Sequence, residues 1–247
     1  MRYQKIADLY IKCPELYDEL SNDRNFGLEV EYLYSLLAEK DCPKVLELMA
    51  GPARHSYYFN ENGAKVTAVD SSYKMKELAI QLGNIESDNY HCKDCIDFLE
   101  GSHGKFDLIF LLRFGVGYLS PSSLSLFFKY LASSLTINGL AIIEIHNLKQ
   151  LVQSKSQLDI YEREFVYNGK SLTCIWPDGT IKWKDNSLLA EMTVTIKDKK
   201  SLTKHHYISK EYIYQLEQFQ LLAEVNSLSV NVLENKFSGS LISIRKN

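Results

Sequence analysis

The stretch Val45-Leu46-Glu47-Leu48-Met49-Ala50-Gly51-Pro52-Ala53-Arg54-His55-Ser56, followed by Val66-Thr67-Ala68-Val69-Asp70, constrains this chain more than any other. It reads as a buried strand, a tight turn, a helix and a second buried strand that ends in a carboxylate. That order is the first half of a nucleoside-binding α/β sheet. Gly51 lets the backbone approach a ligand where a side chain would block it. Asp70, nineteen residues after Gly51, falls at the expected tip of the second strand. A carboxylate there accepts hydrogen bonds from ribose hydroxyls. A dinucleotide site needs G-x-G-x-x-G, with N–H groups facing a pyrophosphate. This turn has one glycine, and Pro52 has no N–H to give. The pattern therefore points to a nucleoside without a diphosphate.

Strands and helices keep alternating beyond this unit. Strands are predicted over 44–49, 65–70, 90–92, 106–112 and 140–145, and helices over 54–62 and 73–82. A further helix carries Leu124, Phe127, Phe128, Leu131 and Leu135 at 3.6 spacing. Such alternation means a doubly wound, Rossmann-like α/β fold whose mostly parallel sheet is covered on both faces. The N-terminus reads as helical up to about Glu39, with Leu33, Leu36 and Leu37 in one stripe. From Tyr161 to Thr195 the period becomes two, with hairpin signals at Asn168-Gly169 and Pro177-Asp178-Gly179. This predicts an antiparallel β insertion. A helix over about Ser209 to Phe219 and strands over 224–232 and 241–245 close the chain. The expected organisation is a helical cap (1–40), a cofactor-binding core (41–149), the insertion (150–205) and a C-terminal segment completing the core sheet (206–247).

Charge and cysteine content exclude several classes. A net charge of −3 over 247 residues argues against nucleic acid as a partner, because phosphate binding needs a basic surface. The run Lys197-Asp198-Lys199-Lys200 reads as a solvated turn. No apolar run reaches membrane-spanning length, and no signal-peptide pattern opens the sequence. Five irregularly spaced cysteines suit free thiols in a reducing cytoplasm. Cys92 and Cys95 form a lone C-x-x-C near His91 and His103; with no second pair, no metal is expected.

The first-strand region resembles class I S-adenosylmethionine-dependent methyltransferases. Their pattern is an acidic residue, a turn often written G-x-G-P-G-R-H, and an acidic residue closing the second strand. The chain keeps Glu47, Gly51, Pro52, Arg54, His55 and Asp70, and has Met49 and Ala53 where the family usually has glycines. The resemblance implies S-adenosyl-L-methionine as cofactor, a seven-stranded sheet with a reversed last strand, and the insertion as a lid. The implied cofactor residues are Tyr17, Glu47, Met49, Ala50, Gly51, Arg54, Asp70, Ser71, Met75, Asp94, Cys95, Ile96 and Leu112. Asp70 would hold the ribose, and Met75 would cover the adenine or be ordinary helix core. Asp94 would accept from the exocyclic amine or merely shape a turn, with the Cys95 and Ile96 backbone along the ring. Tyr10 and Tyr17 resemble N-terminal tyrosines that cover the cofactor in related enzymes.

Three residues stand as catalytic candidates at the fourth and fifth strand ends. Tyr118, in the loop Arg113-Phe114-Gly115-Val116-Gly117-Tyr118-Leu119, would face the acceptor or pack on Leu119 and Pro121. Arg113 would hold a carboxylate or form a surface ion pair. His146, with Asn147 beside it, suits a general base or a structural role. His205 and His206, adjacent in a strand, point to opposite faces. Trp176, Trp183, Tyr161 and Tyr167 would line an acceptor pocket or form the insertion's own core. The insertion resembles the lids of glycine and sugar-amine N-methyltransferases, which implies a small-molecule methyl acceptor reacting at nitrogen. The partners expected are that small molecule and neither nucleic acid nor membrane; monomer and homodimer both stay open. The alternatives are an NAD(P)-dependent oxidoreductase and a non-catalytic nucleoside-binding module.

Overall fold

The computed structural model describes residues 3–37, 41–146, 161–184, 188–234 and 239–247. Glu39, where the N-terminal helical region was expected to end, and Asn147 lie outside the described residues, as does the predicted boundary between core and insertion at 149–150. The chain begins with β1 (Tyr3–Lys5), α1 (Ile6–Lys12), α2 (Pro14–Ser21) and α3 (Phe26–Ser35). There follow β2 (Lys44–Leu48), α4 (Arg54–Glu61), β3 (Lys65–Asp70), α5 (Tyr73–Gln81), β4 (Tyr90–Cys92), α6 (Cys95–Glu100), β5 (Phe106–Leu111), α7 (Pro121–Ser134) and β6 (Leu135–Ile145). Then come β7 (Tyr161–Tyr167), β8 (Lys170–Trp176), β9 (Lys182–Lys184), β10 (Leu189–Asp198) and β11 (Lys204–Tyr212). The chain closes with α8 (Leu216–Val225), β12 (Leu228–Leu233) and β13 (Ser240–Lys246).

These elements form two compact units, Met1–Arg24 with Asn147–Ile213, and Asn25–His146 with Tyr214–Asn247. The second holds a seven-stranded sheet in the order β12-β13-β6-β5-β2-β3-β4. The five strands from β6 to β4 run parallel, and β13 is antiparallel to both of its neighbours. This is the sheet that the alternation predicts, with the reversed strand where the resemblance places it. All six residues of β5 are buried, and four of five in β2, which is what a sheet covered on both faces requires. Each face is sealed by helices whose starts are written in the sequence. Asn25, Ser72, Asp94 and Ser120 each accept a backbone N–H at the N-cap of α3, α5, α6 and α7. Leu124, Phe127, Phe128 and Leu131 are buried in α7, as their spacing predicts, whereas Leu135, expected in the same helix, is buried as the first residue of β6. Phe59 and Phe110 stack at 5.4 Å inside the core formed by α3, α4 and the central strands. Burial of each such ring stabilises the unit by about 1.5–3 kcal/mol.

The first unit holds a six-stranded sheet in the order β1-β11-β10-β8-β7, with β9 pairing β10. Strands β7 to β10 pair antiparallel, as the period-two pattern over Tyr161 to Thr195 predicts, and β11 adds a further antiparallel strand. Three further expectations are corrected in the chain as a whole. Tyr3–Lys5 is a strand rather than part of a helix, because β11 offers it a parallel partner. Three residues carry too little periodicity to announce this. The helix expected over Ser209 to Phe219 is strand up to Tyr212 and helix only from Leu216. The buried positions of β11 include Ser209 and Glu211, which satisfy one another at 2.5 Å and hide the alternation of hydropathy. The helix α8 runs to Val225, so β12 starts at Leu228 and not at Glu224. Among the described residues, no helix is long and apolar enough to cross a membrane.

Candidate cofactor site

In an open parallel sheet, ligands settle beyond the strand C-termini where the strand order reverses. Here that point lies between β2, which leads outward to β3 and β4, and β5, which leads to β6. Of the eight described non-glycine residues at positive φ, four sit in the two turns that flank it: Met49 and Ala53 after β2, Arg113 and Phe114 after β5. Each costs about 1–2 kcal/mol relative to the right-handed region, strain of the kind that gathers at functional sites. Met49 and Ala53 are the two positions where the resembling family usually has glycine. The backbone conformation is that of a glycine turn even where the glycines are missing. The two turns also touch: a Cβ on Gly115 would lie 3.0 Å from Met49 Sδ.

The N–H groups of Ala50, Gly51 and Ala53 in the β2 turn each have a partner within the protein. Ala50 N donates to Val69 O (3.0 Å) and Ala53 N to Ala50 O (2.9 Å). Gly51 N donates to Asp70 Oδ2 (2.9 Å), and Pro52 has no N–H. The carbonyls are tied as well: Tyr90 Oη donates to Gly51 O and Asn84 Nδ2 to Pro52 O, both at 2.7 Å. Sequence reasoning missed Tyr90 and Asn84, since a tyrosine in a short strand and an asparagine after a helix carry no signal of their own. Burial, with the neighbouring charges of Asp70 and Glu47, pushes the Tyr90 hydroxyl far up, so it stays a donor.

Asp70 sits half-buried at the tip of β3. Its second oxygen accepts from Ser72 N (2.8 Å). Burial raises its carboxyl above the usual range, opposed by the Ser72 and Gly51 N–H groups. A carboxylate has about four lone-pair positions; two are engaged here, which leaves one on each oxygen for a ribose diol. Ser71 beside it is exposed, and Met75, 2 % exposed, lies in the first turn of α5. The β4 end adjoins the same tip, with Lys93 N on Asp70 O (3.0 Å). Asp94 caps α6 through Ile96 N (2.8 Å), so Cys95 and Ile96 begin a helix. Burial pushes the Cys95 thiol up to about 12.

Glu47 is turned away from this opening. Its oxygens take Ser56 Oγ (2.6 Å), Ser56 N (3.1 Å) and His55 Nδ1 (3.2 Å). His55 Nε2 meets Glu29 at 2.8 Å. Burial alone would lower His55, but the two carboxylates outweigh it and raise its pKa, making a buried charged cluster that fixes α4 to β2 and α3. Arg54 opens α4 at the end of the turn.

On the far side of the switch point, Leu112 is buried and Arg113 N donates to Glu144 Oε2 (2.6 Å). The fully buried Glu144 also accepts from Gly239 N (3.1 Å). Phe114 stacks on His146, ring centroids 4.1 Å apart and 9° from parallel. Tyr118 ends a short 3-10 turn and is 38 % exposed. The structure thus gathers the predicted Met49 to Gly51, Asp70 and Leu112 to His146 residues at the strand ends of one unit. Tyr17 belongs to the other unit, edge-on to Tyr10 at 4.7 Å and packed on that unit's core. Trp176 and Tyr167 pack on the same core, Trp183 is exposed, and the Tyr161 side chain lies outside the described set. His206 is buried and His205 exposed, as strand alternation requires.

A parallel sheet with one reversed strand, opened at its switch point, defines a Rossmann-like α/β fold. Several of the solved structures it resembles over the full chain are methyltransferases. DesVI of Streptomyces venezuelae matches with a TM-score of 0.73 at 17 % identity, covering 100 % of both chains. CalS10, a SAM-bound amino pentose methyltransferase of Micromonospora echinaspora, matches with a TM-score of 0.74 at 13 % identity, covering 100 % of this chain and 99 % of its own. The sugar N-methyltransferase KedS8 of Streptoalloteichus matches with a TM-score of 0.71 at 14 % identity, covering 100 % and 95 %. No protein-family model matches the chain, and no curated protein does. At these identities the likeness establishes the fold.

Proposed function

We propose that the protein is an S-adenosylmethionine-dependent methyltransferase that acts on a small molecule at nitrogen. One observation carries the reading: in the turn after β2 the Ala50, Gly51 and Ala53 N–H groups are engaged within the protein and Pro52 has none, while Asp70 beside them retains acceptor capacity for a ribose. That combination fits an adenosine with no phosphate at its 5′ end and disfavours a dinucleotide. Asp70 would hold the ribose, the Met49–Gly51 backbone would border the amino-acid portion, and Met75 and the Asp94–Ile96 segment would border the adenine. When bound, the cofactor supplies an electrophilic methyl group on a sulfonium. The chain's own task is to align a nucleophile with it, since alignment alone supplies much of the rate. Arg113, Tyr118 and His146 stand at the strand ends from which an acceptor would be approached. His146, stacked on Phe114, would take a proton from an ammonium acceptor so that its lone pair is available. The fold shared with a sugar N-methyltransferase and an amino pentose methyltransferase supports nitrogen as the target. Calorimetry of the full chain with S-adenosylmethionine, S-adenosylhomocysteine and NAD tests the reading. Binding of the first two alone is expected; binding of NAD alone, or of none, overturns it.

A further inference from the structure

A cleft of about 730 Å³ runs from the starts of β2, β3 and β5 to the end of β4 and the first turn of α6. Its floor is apolar: Val66 and Phe106 are buried, and the Phe98 ring lies 5.1 Å from that of His91. Its rim is basic. Lys44, Lys65, Lys93 and Lys105 line it against a single carboxylate, Asp97, on a chain whose net charge is −3. Among the described residues, none of these four ammonium groups pairs with a carboxylate; Lys105 Nζ donates to the Gly101 carbonyl at 3.1 Å. Nearby Asp107 is occupied by Lys44 N and the Thr136 hydroxyl. Like charges that converge on a concave apolar floor repel one another and raise the local concentration of anions.

We propose that this cleft is a second ligand site, for a di- or triphosphate anion of the kind nucleotides carry, with its phosphoryl oxygens on the lysine rim. Its volume is that of a small-molecule site, and lysines are point-charge phosphate binders. His91 reports on it. Burial, then the charges of Lys76 and Lys93, hold its imidazole below the ordinary value, with Asp97 the acidic group on the same cleft. A bound polyanion offsets those ammonium charges and moves His91 upward.

The test uses the full chain at low ionic strength, with inorganic pyrophosphate, ADP and adenosine as probes, followed by calorimetry and by the NMR titration of His91. With S-adenosylhomocysteine in excess to fill the proposed cofactor site, pyrophosphate and ADP are expected to bind and to raise the His91 pKa, while adenosine does neither. Lys65→Ala/Lys105→Ala, which changes only exposed side chains, is expected to weaken binding by about tenfold and to flatten its salt dependence. ADP tighter than pyrophosphate identifies a nucleotide as the source of the anion, and equal affinity a free polyphosphate. No binding at millimolar probe, an unmoved His91, or unchanged affinity in the double variant overturns the site. S-adenosylmethionine binding, measured on the same protein before S-adenosylhomocysteine is added, keeps this outcome separate from that of the methyltransferase reading.

Discussion

Asp70 does two jobs at once, and its variants separate them. It fixes the turn by accepting from Gly51 N and Ser72 N, and it presents the remaining lone pairs outward. Asp70→Ala removes both functions and is expected to weaken S-adenosylmethionine binding by about 1–3 kcal/mol, because ribose hydroxyls are left without acceptors. Calorimetry checks this, and unchanged affinity would falsify the ribose role. His55 makes a prediction of a different kind. Its pKa is raised in the fold above the unfolded value of 6.5. The stabilisation is therefore complete below that value and is lost as pH climbs through the folded one. Urea midpoints measured from about pH 6 to pH 9 are expected to fall with pH in the native chain and to stay flatter in His55→Gln. At the acid end that variant is expected to be weaker by about 3–5 kcal/mol, since it leaves Glu29 and Glu47 buried without their shared cation. Parallel pH profiles for the two proteins would show that the cluster is not charged.

At the scale of elements, the sheet was legible where local pattern and tertiary fate agree. Runs such as Val45–Leu48 and Phe106–Leu111 are apolar on both faces and bounded by turn residues, so their place in a parallel sheet follows directly. Asp70 and Gly51 were legible from their spacing alone. What the sequence concealed was set by distant partners. Tyr3–Lys5 is a strand only because β11 lies beside it, and β11 looked helical because its inner face carries Ser209 and Glu211. Tyr90, Asn84 and the left-handed backbone at Met49 and Ala53 were equally hidden, because no residue type announces a role defined by another segment's carbonyl. The same contrast applies to glycines that hold elements together. A Cβ on Gly239 would meet Phe114 Cε1 at 2.5 Å, Glu144 Cγ at 2.9 Å and the Ile145 carbonyl at 2.9 Å. Backbone cannot yield as a side-chain tip does, so Gly239→Ala is expected to cost about 1–3 kcal/mol. A lowered thermal midpoint, with His146 NMR signals displaced as Phe114 shifts, would confirm that β13 braces the loop after β5.

For the molecule as a whole, each of the two units has an apolar core of its own among the described residues. One gathers Ile6, Leu9, Leu20, Phe165, Leu172, Val194, Ile196 and Tyr207, from α1, α2 and the antiparallel strands. The other gathers Val30, Phe59, Val66, Phe110 and Ile142, from α3, α4 and the parallel sheet. Each has its own hydrogen-bonded sheet, and among the described residues no strand belongs to both. Cooperative unfolding follows shared burial, so two cores allow two transitions. Leu9 is fully buried in the first core, and Leu9→Ala is expected to remove about 2–5 kcal/mol from that unit. Hydrogen exchange should then lose protection over β1 to α2 and over β7 to β11, while β2 to β6 keep theirs. A ligand adds the complementary measurement. Bound only to the native parallel-sheet unit, S-adenosylmethionine at about a hundred times its Kd stabilises that unit by about 2.7 kcal/mol. In the Leu9→Ala protein, that gain is expected to appear in the exchange of β2 to β6 and to leave β7 to β11 unrescued. Equal rescue of both sheets would mean that the two cores unfold as one.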